Sequence, residues 1–138
     1  FRYNARVLAR HVAETHFGRR AGRPALDAGE VVPYLLAELA HAPELWVQKG
    51  YLARVVSAGS DGLKDEGIVP LAEFADRGER DGCAVAVEYD ADGAVVPVVY
   101  VRRAGALLEH TLPPHPLHVF DTDDHRRELE ARLAPLLA

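Results

Sequence analysis

The spacing of apolar residues along the chain changes near Gly82. Before this point they recur every three or four positions, which is typical of amphipathic helices. After it they recur every second position, which is typical of strands with two distinct faces. The pattern predicts an α+β fold, arranged as a single α+β domain over residues 1–138. We expect three or four N-terminal helices, then a three- to four-stranded antiparallel β-meander, then a C-terminal helix.

Four helices are predicted in the first part of the chain, at residues 3–17, about 33–41, 43–58 and about 70–77. Asp27, with Glu30 three residues later, resembles a capping box. Pro33 conflicts with a helix that continues from there, because proline removes a backbone hydrogen bond. The second helix therefore has a separate first turn or begins at Pro33. The third helix takes its buried stripe from apolar residues such as Leu45 and Leu52.

Three strands are predicted in the second part, at residues 83–89, 94–102 and 106–112. Each of the two loops between them contains a glycine, which suits the positive φ of a tight hairpin. Pairing through these loops places Tyr89 opposite Ala94 and Arg102 opposite Ala106. In this register one face forms the core against which the helices pack. That face carries Cys83, Val85, Val87, Tyr89, Val96, Val98, Tyr100, Leu108, His110 and Leu112.

The opposite face of this predicted sheet is more apolar than a solvent-exposed face should be. Val95, Val99, Val101 and Leu107 would form a contiguous apolar patch there, of a kind that small monomers seldom expose. The first helix or a second copy of the chain could cover it. We favour a homodimer about a twofold axis, so these four residues are the predicted ligand or interface residues. Pro97 predicts a bulge or a smaller sheet, because it cannot donate to a ladder.

The end of the predicted meander is followed by a linker and a last helix. Residues 113–116 include three prolines and predict an extended segment. Residues 117–120 are compatible with a short fourth strand. The last helix is expected to begin at Asp121 or Thr122 and to end at about Leu133.

Histidines and aspartates cluster in this linker. His115, His118 and Asp121 combine imidazole and carboxylate groups, which are the ligands that zinc and non-haem iron prefer. These three residues are the candidate metal ligands. A small metal- or acid/base-dependent enzyme using them is therefore an alternative function. The spacing of the three residues matches no diagnostic metal motif. Aspartate is also favoured at the start of a helix as a cap, which accounts for Asp121 without a metal. The sequence therefore implies no cofactor.

Composition and motifs exclude several other classes. Hydrophobic residues make up 49% of the chain and charged residues 27%, which is ordinary for a globular protein. The single cysteine, Cys83, excludes an intrachain disulfide and is expected to be a buried, inert thiol. The chain contains no phosphate-binding loop, dinucleotide fingerprint, GxSxG or HExxH motif. No apolar run approaches the roughly 20 residues of a membrane span, so no membrane partner is expected.

The net charge, the amino-acid usage and the N-terminal residues indicate the expected partners and location. The net charge is −5, although residues 1–24 carry six arginines against one glutamate. This overall sign argues against a nucleic-acid partner. Few lysines and isoleucines beside many alanines and arginines indicate a GC-rich bacterial genome. The first ten residues carry no signal-peptide pattern, so a cytoplasmic location is expected.

These observations leave three functional hypotheses, and they leave open whether the chain is an enzyme. The favoured one is a small soluble bacterial protein that acts as a non-enzymatic binding or assembly module and self-associates. The metal- or acid/base-dependent enzyme is the first alternative. The second is a winged-helix-like DNA-binding domain built from the three helices between residues 33 and 77 and a hairpin wing at 83–102. The sequence specifies no small-molecule ligand.

Overall fold

The computed structural model describes residues 2–16, 23–77 and 80–137. Within these ranges the protein is an α+β structure with five helices and one six-stranded antiparallel sheet, where three or four strands were expected. The helices are α1 (Arg2–His16), α2 (Ala28–His41), α3 (Pro43–Val47), α4 (Leu71–Arg77) and α5 (Asp123–Leu137). The strands are β1 (Ala25–Leu26), β2 (Leu52–Gly59), β3 (Gly62–Pro70), β4 (Asp81–Tyr89), β5 (Val95–Arg103) and β6 (Ala106–Thr111). The end predicted for the first helix, at residue 17, lies outside the described residues.

The strands lie side by side in the order β1-β3-β2-β4-β5-β6. Each neighbouring pair is antiparallel. Strand β6 therefore forms one edge of the sheet. The other edge is formed by β3, partly covered by the two residues of β1. The two edges differ in how well they are protected, and this difference bears on function.

The helix predicted at residues 43–58 is wrong. Only its first turn and a half is helical, as α3, and from Leu52 onward the chain forms the central strand β2. In β2, Val55 faces one side of the sheet and Val56 the other, and both are buried. A strand buried on both faces shows no alternation, so its apolar run cannot be told from a buried helix by periodicity.

The last three predicted strands are confirmed, but their register is wrong by one residue. Tyr89 pairs with Val95, and Arg103 pairs with Ala106. The second hairpin turns on only two residues, Ala104 and Gly105, both with positive φ (51° and 82°) as a type I′ turn requires. Because side chains alternate along a strand, this shift moves the residues of β5 to the opposite face.

Helices cover both faces of the sheet. The main core lies between one face and α2, α3 and α5. It includes Val31, Leu35, Leu39, Leu45, Val56, Cys83, Val85, Val87, Val99, Val101, Phe120, Leu129 and Leu133. The second face carries a smaller core with Leu71 and Phe74 of α4. Its strand residues are Ala53, Val55, Ala84, Ala86, Val96, Val98 and Tyr100.

Pro97 fits into β5 without the predicted bulge. Both neighbouring strands pair with β5 in one continuous register. The Pro97 carbonyl accepts a hydrogen bond from the backbone N–H of Leu112 at 2.9 Å, so the backbone polar groups of Pro97 face the β6 side. Strand β6 ends at Thr111. The missing N–H of Pro97 therefore falls just beyond the last pair of that ladder, where no strand bond is lost.

Candidate functional site

The three predicted metal ligands lie in the segment between β6 and α5, where residues 117–120 form a turn and coil rather than a strand. His115 uses its Nδ1 to accept a hydrogen bond from the Leu117 backbone N–H at 3.1 Å. The ring of His118 packs against Trp46, with 5.9 Å between ring centroids, and Asp121 is exposed. Among the described residues, no group of three His, Cys, Asp or Glu side chains is placed to hold a metal ion. The structure does not bring these three together.

An aromatic cluster holds the segment in place instead. Phe120 is fully buried and stacks on Trp46, with ring centroids 5.4 Å apart and planes 10° from parallel. Trp46 donates its indole N–H to the Leu39 carbonyl at 2.8 Å. The segment is therefore anchored to α2 and α3, and its aromatic residues have a packing role.

His125, at the start of α5, is a buried histidine for which the sequence predicted no role. It is 2% exposed. Its Nε2 lies 2.7 Å from the Pro113 carbonyl, which can only accept, so Nε2 carries the proton. Nδ1 then accepts from the Thr122 hydroxyl at 2.6 Å. Thr122 also accepts from the His125 backbone N–H, as the N-cap of α5.

The predicted interface residues do not share one exposed face. Val99 and Val101 are 0% and 6% exposed in the main core beneath the helices, and Val95 packs partly buried against the same core. Leu107 lies opposite Arg102, on the other face of the sheet. This correction follows from the register: the one-residue shift turns the valines of β5 toward α2 and α5.

Leu107 and its neighbour Leu108 do remain at the surface, on the edge strand β6. Their exposed fractions are 38% and 57%, and the two side chains point to opposite faces of the sheet. The whole of β6 is exposed except His110, which is half-buried. Such a strand with apolar side chains is a candidate for pairing with another chain.

The hydrogen-bond pattern shows which backbone groups of β6 face outward. Because Pro97 and Leu112 form a hydrogen-bonded pair, the pairs at every second position from it are also hydrogen-bonded. His110 and Leu108 therefore direct their backbone groups toward β5. The intervening residues, Leu107 and Glu109, direct their N–H and C=O groups away from the sheet, as does Thr111 at the end of the strand.

A row of polar side chains crosses the second face next to this edge. The Tyr100 hydroxyl lies 2.6 Å from Glu88 Oε2 and 3.3 Å from Glu109 Oε1. One hydroxyl has one proton to donate, and the shorter distance assigns it to Glu88. Burial raises the pKa of Glu88 above its usual range, partly offset by this hydrogen bond, while the negative charge of Glu109 adds to the rise. The hydrogen bond joins β4 to β5, and the Glu109 carboxylate of β6 lies beside it.

A second polar cluster joins α2 to the sheet. Arg54 on β2 forms ion pairs with Glu38 at 3.2 Å and with Asp65 at 3.5 Å. The Tyr34 hydroxyl donates to Asp65 Oδ2 at 2.5 Å. Burial raises the pKa of Glu38, although the charge of Arg54 opposes the rise. All the charges are partnered, so the cluster connects the layers of the fold.

Two further residues or segments singled out in the sequence have a defined place in the fold. Cys83 is fully buried, and burial raises its pKa to about 12, so the thiol is inert at neutral pH, as expected. The winged-helix interpretation required a helix over residues 43–58, where the structure has α3 and β2.

Arg102 fixes α4 against the sheet. Its guanidinium carbon lies 4.5 Å from the centroid of the Phe74 ring, and the guanidinium donates a hydrogen bond to the Phe74 carbonyl.

Comparisons with known proteins found no matching family, no similar curated protein and no similar solved structure. The functional argument therefore depends on the geometry of this chain. Across the described ranges, no helix is both long enough and apolar enough to cross a membrane.

Proposed function

We propose that this protein is a non-enzymatic binding and assembly module that self-associates through its edge strand β6. Two copies would pair their β6 strands antiparallel about a twofold axis, so that the two sheets become continuous. The observation that carries the proposal is the open edge itself, six residues long, with Leu107 and Leu108 exposed on its two faces. The interface expected from the sequence moves from a sheet face to this edge.

The backbone of β6 supplies the hydrogen-bonding groups that such pairing needs. Leu107, Glu109 and Thr111 direct N–H and C=O groups outward, and no backbone group of a described residue pairs with them. Edge strands in soluble proteins are commonly protected by lysine, proline or a bulge. Residues 106–111 contain neither lysine nor proline, and their pairing with β5 has no register shift.

The opposite edge of the sheet is protected, which favours a closed dimer over an open fibre. Strand β3 pairs with β2 through a register shift at Val55 and Val56, where Glu66 is the extra residue. A bulge of this kind twists an edge away from further pairing. Lys64, Asp65 and Glu66 also place charges along this strand. With one open edge among the described strands of each copy, association stops at two copies.

The residues of β6 select one register. The outward-facing residues must hydrogen-bond to each other between copies, so the axis passes through a residue, and among the central positions of the strand it falls at Leu107, Leu108, Glu109 or His110. An axis at Glu109 places two carboxylates directly opposite, which is unfavourable. An axis at Leu107 extends the pairing into Ala104 and Gly105, whose positive φ values are not those of a strand. An axis at His110 pairs Leu107 with Pro113, which has no backbone N–H to donate. An axis at Leu108 avoids all three problems and places the two Leu108 side chains together.

A disulfide test reports this register directly. In the proposed dimer the two Leu108 residues form a pair without backbone hydrogen bonds, with Cα atoms roughly 4.5 Å apart, which is close enough for a disulfide. Leu108→Cys should therefore give a covalent dimer on mild oxidation at micromolar concentration. The native Cys83 does not compete, because it is fully buried.

Leu117→Cys is the matched control, since Leu117 is 79% exposed and lies outside β6. It should remain monomeric on non-reducing gels under the same conditions. Equal crosslinking of the two variants would indicate random collision and contradict the proposal. So would the absence of a covalent dimer from Leu108→Cys.

A further inference from the structure

The polar row formed by Glu88, Tyr100 and Glu109 on the second face has more acceptors than protons. The Tyr100 hydroxyl has one proton, which the 2.6 Å distance assigns to Glu88. Glu109 Oε1 lies 3.3 Å from the same hydroxyl oxygen. With both carboxyls ionised, this second contact brings two acceptors together with no proton between them. A proton on Glu109 makes the contact a hydrogen bond, which the carboxyl donates to the hydroxyl oxygen.

No described cation balances the two carboxylates of this row. Burial and the charge of Glu109 raise the pKa of Glu88, and the hydrogen bond within the row only partly opposes the rise. Arg102 also lies in β5, but its guanidinium donates to carbonyls of α4. Lys49, from the segment before β2, donates to the carbonyl of Trp46. A proton is therefore the remaining means of compensating two adjacent negative charges.

The proposed dimer places apolar surface and a second negative charge beside Glu109. With the axis at Leu108, Glu109 of one copy lies directly opposite Leu107 of the other, on the same face of the joined sheet. The Leu107 side chain then removes water from the Glu109 carboxyl. The two Glu109 residues lie diagonally across the axis, about 7–8 Å apart. Both effects make a charged Glu109 less favourable in the dimer than in the single chain.

We propose that the polar row takes up a proton when two copies pair through β6, so that self-association tightens as the pH falls. This inference rests on the proposed function and adds its regulation. Protonated Glu109 donates to the Tyr100 hydroxyl, which continues to donate to Glu88, so each contact in the row is a hydrogen bond. Because the dimer binds more protons than two separate chains, a lower pH favours the dimer.

Two other titratable groups near this edge do not produce the same response. His110 lies on the opposite face of β6, and burial together with the charge of Arg132 on α5 lowers its pKa. Further burial of His110 by a second copy would disfavour its charged form, so its titration weakens the dimer in acid and has the opposite sign. Burial raises the pKa of Tyr100, so its hydroxyl keeps its proton throughout. Substitution of Glu109 therefore isolates the response of the row.

Sedimentation equilibrium measures the dimer dissociation constant at about pH 7.5 and at about pH 5, which approaches the ordinary range of glutamate. The wild-type constant should fall about tenfold on acidification. Glu109→Gln should dimerise more tightly than the wild type at the higher pH, because its uncharged amide donates to the Tyr100 hydroxyl. This variant should also lose most of the pH response. Glu130→Gln, exposed on α5, is the matched control and should respond as the wild type does.

The outcomes separate this inference from the proposed function. A chain that stays monomeric at both pH values contradicts the two together. A wild-type dimer whose dissociation constant does not change with pH overturns the inference alone. So does a Glu109→Gln variant that keeps the wild-type pH response, and in both cases pairing through β6 stands.

Discussion

Substituting Val99 by aspartate distinguishes a core position from a surface position. A surface valine at an interface would tolerate the change, and the dimer would simply separate. In the structure, however, Val99 is 0% exposed and lies between Val85 of β4 and His110 of β6. Losing the buried valine costs about 2 kcal/mol, and burying a carboxyl group without a partner adds about 2–7 kcal/mol. Domains of this size are stable by only about 5–15 kcal/mol, so Val99→Asp should lose a large part of its stability.

Urea denaturation followed by circular dichroism measures the effect. Val99→Ala should lose about 2 kcal/mol of unfolding free energy, from two deleted carbon atoms and the cavity they leave. Val99→Asp combined with His110→Leu removes the polar one of the two cross-strand neighbours of residue 99, and the double variant should not regain stability. Leu117→Asp is the exposed control and should stay within about 0.5 kcal/mol of the wild type. If Val99→Asp keeps wild-type stability, the register and the core assignment are wrong.

Three further predictions test the polar clusters. Arg54→Met leaves the half-buried Glu38 without its cation and should lower the unfolding free energy by about 3 kcal/mol in urea titrations; an unchanged midpoint would contradict this. Burial raises the pKa of Glu88, so the folded state binds the carboxyl proton of Glu88 more tightly than the unfolded state does. The protein should therefore lose stability as the pH rises from the ordinary glutamate range through the raised pKa. Glu88→Gln should remove this loss in denaturation midpoints taken from acidic to neutral pH, whereas the exposed control Glu130→Gln should retain it. His125→Leu leaves the carbonyl of the partly buried Pro113 and the Thr122 hydroxyl without their ring partner. It should lower the unfolding free energy by about 2 kcal/mol, and the thermal midpoint with it; a midpoint equal to the wild type would refute the role of this histidine.

The elements that follow local rules could be predicted from the sequence. The hairpin strands after residue 82 have glycine-containing turns and apolar runs, and the structure confirms them. The helix beginning near Thr122 is confirmed by its N-cap hydrogen bond. Strands β2 and β3 could not be predicted in this way. The first is buried on both faces, and the second contains three consecutive charged residues that show no alternation.

The register depended on details that periodicity does not contain. The loop between β4 and β5 is lengthened because Asp90 accepts hydrogen bonds from the backbone N–H groups of Asp92 and Ala94, each at 2.9 Å. An alanine at positive φ shortens the next turn to two residues. Each change is a single residue, and each reverses the faces of the side chains after it. The first therefore turns β5 over, and the second returns β6 to its predicted faces.

The candidate site was partly accessible to sequence reasoning. The last strand of a meander is by topology an edge, so the exposure of Leu107 has a signal in the strand order. The role of His125 also has a local signal, because a threonine three residues before it marks a helix N-cap.

Sedimentation equilibrium at micromolar concentrations tests the central claim, self-association through β6, most directly. The wild-type chain should show a reversible species of twice its 15.1 kDa mass. Leu108→Asp should sediment as a single chain with an unchanged circular dichroism spectrum, because Leu108 is 57% exposed and its loss leaves the core intact. Leu117→Asp should dimerise as the wild type does. A wild-type chain that stays at 15.1 kDa across the concentration range, or a Leu108→Asp variant that still dimerises, would contradict the account.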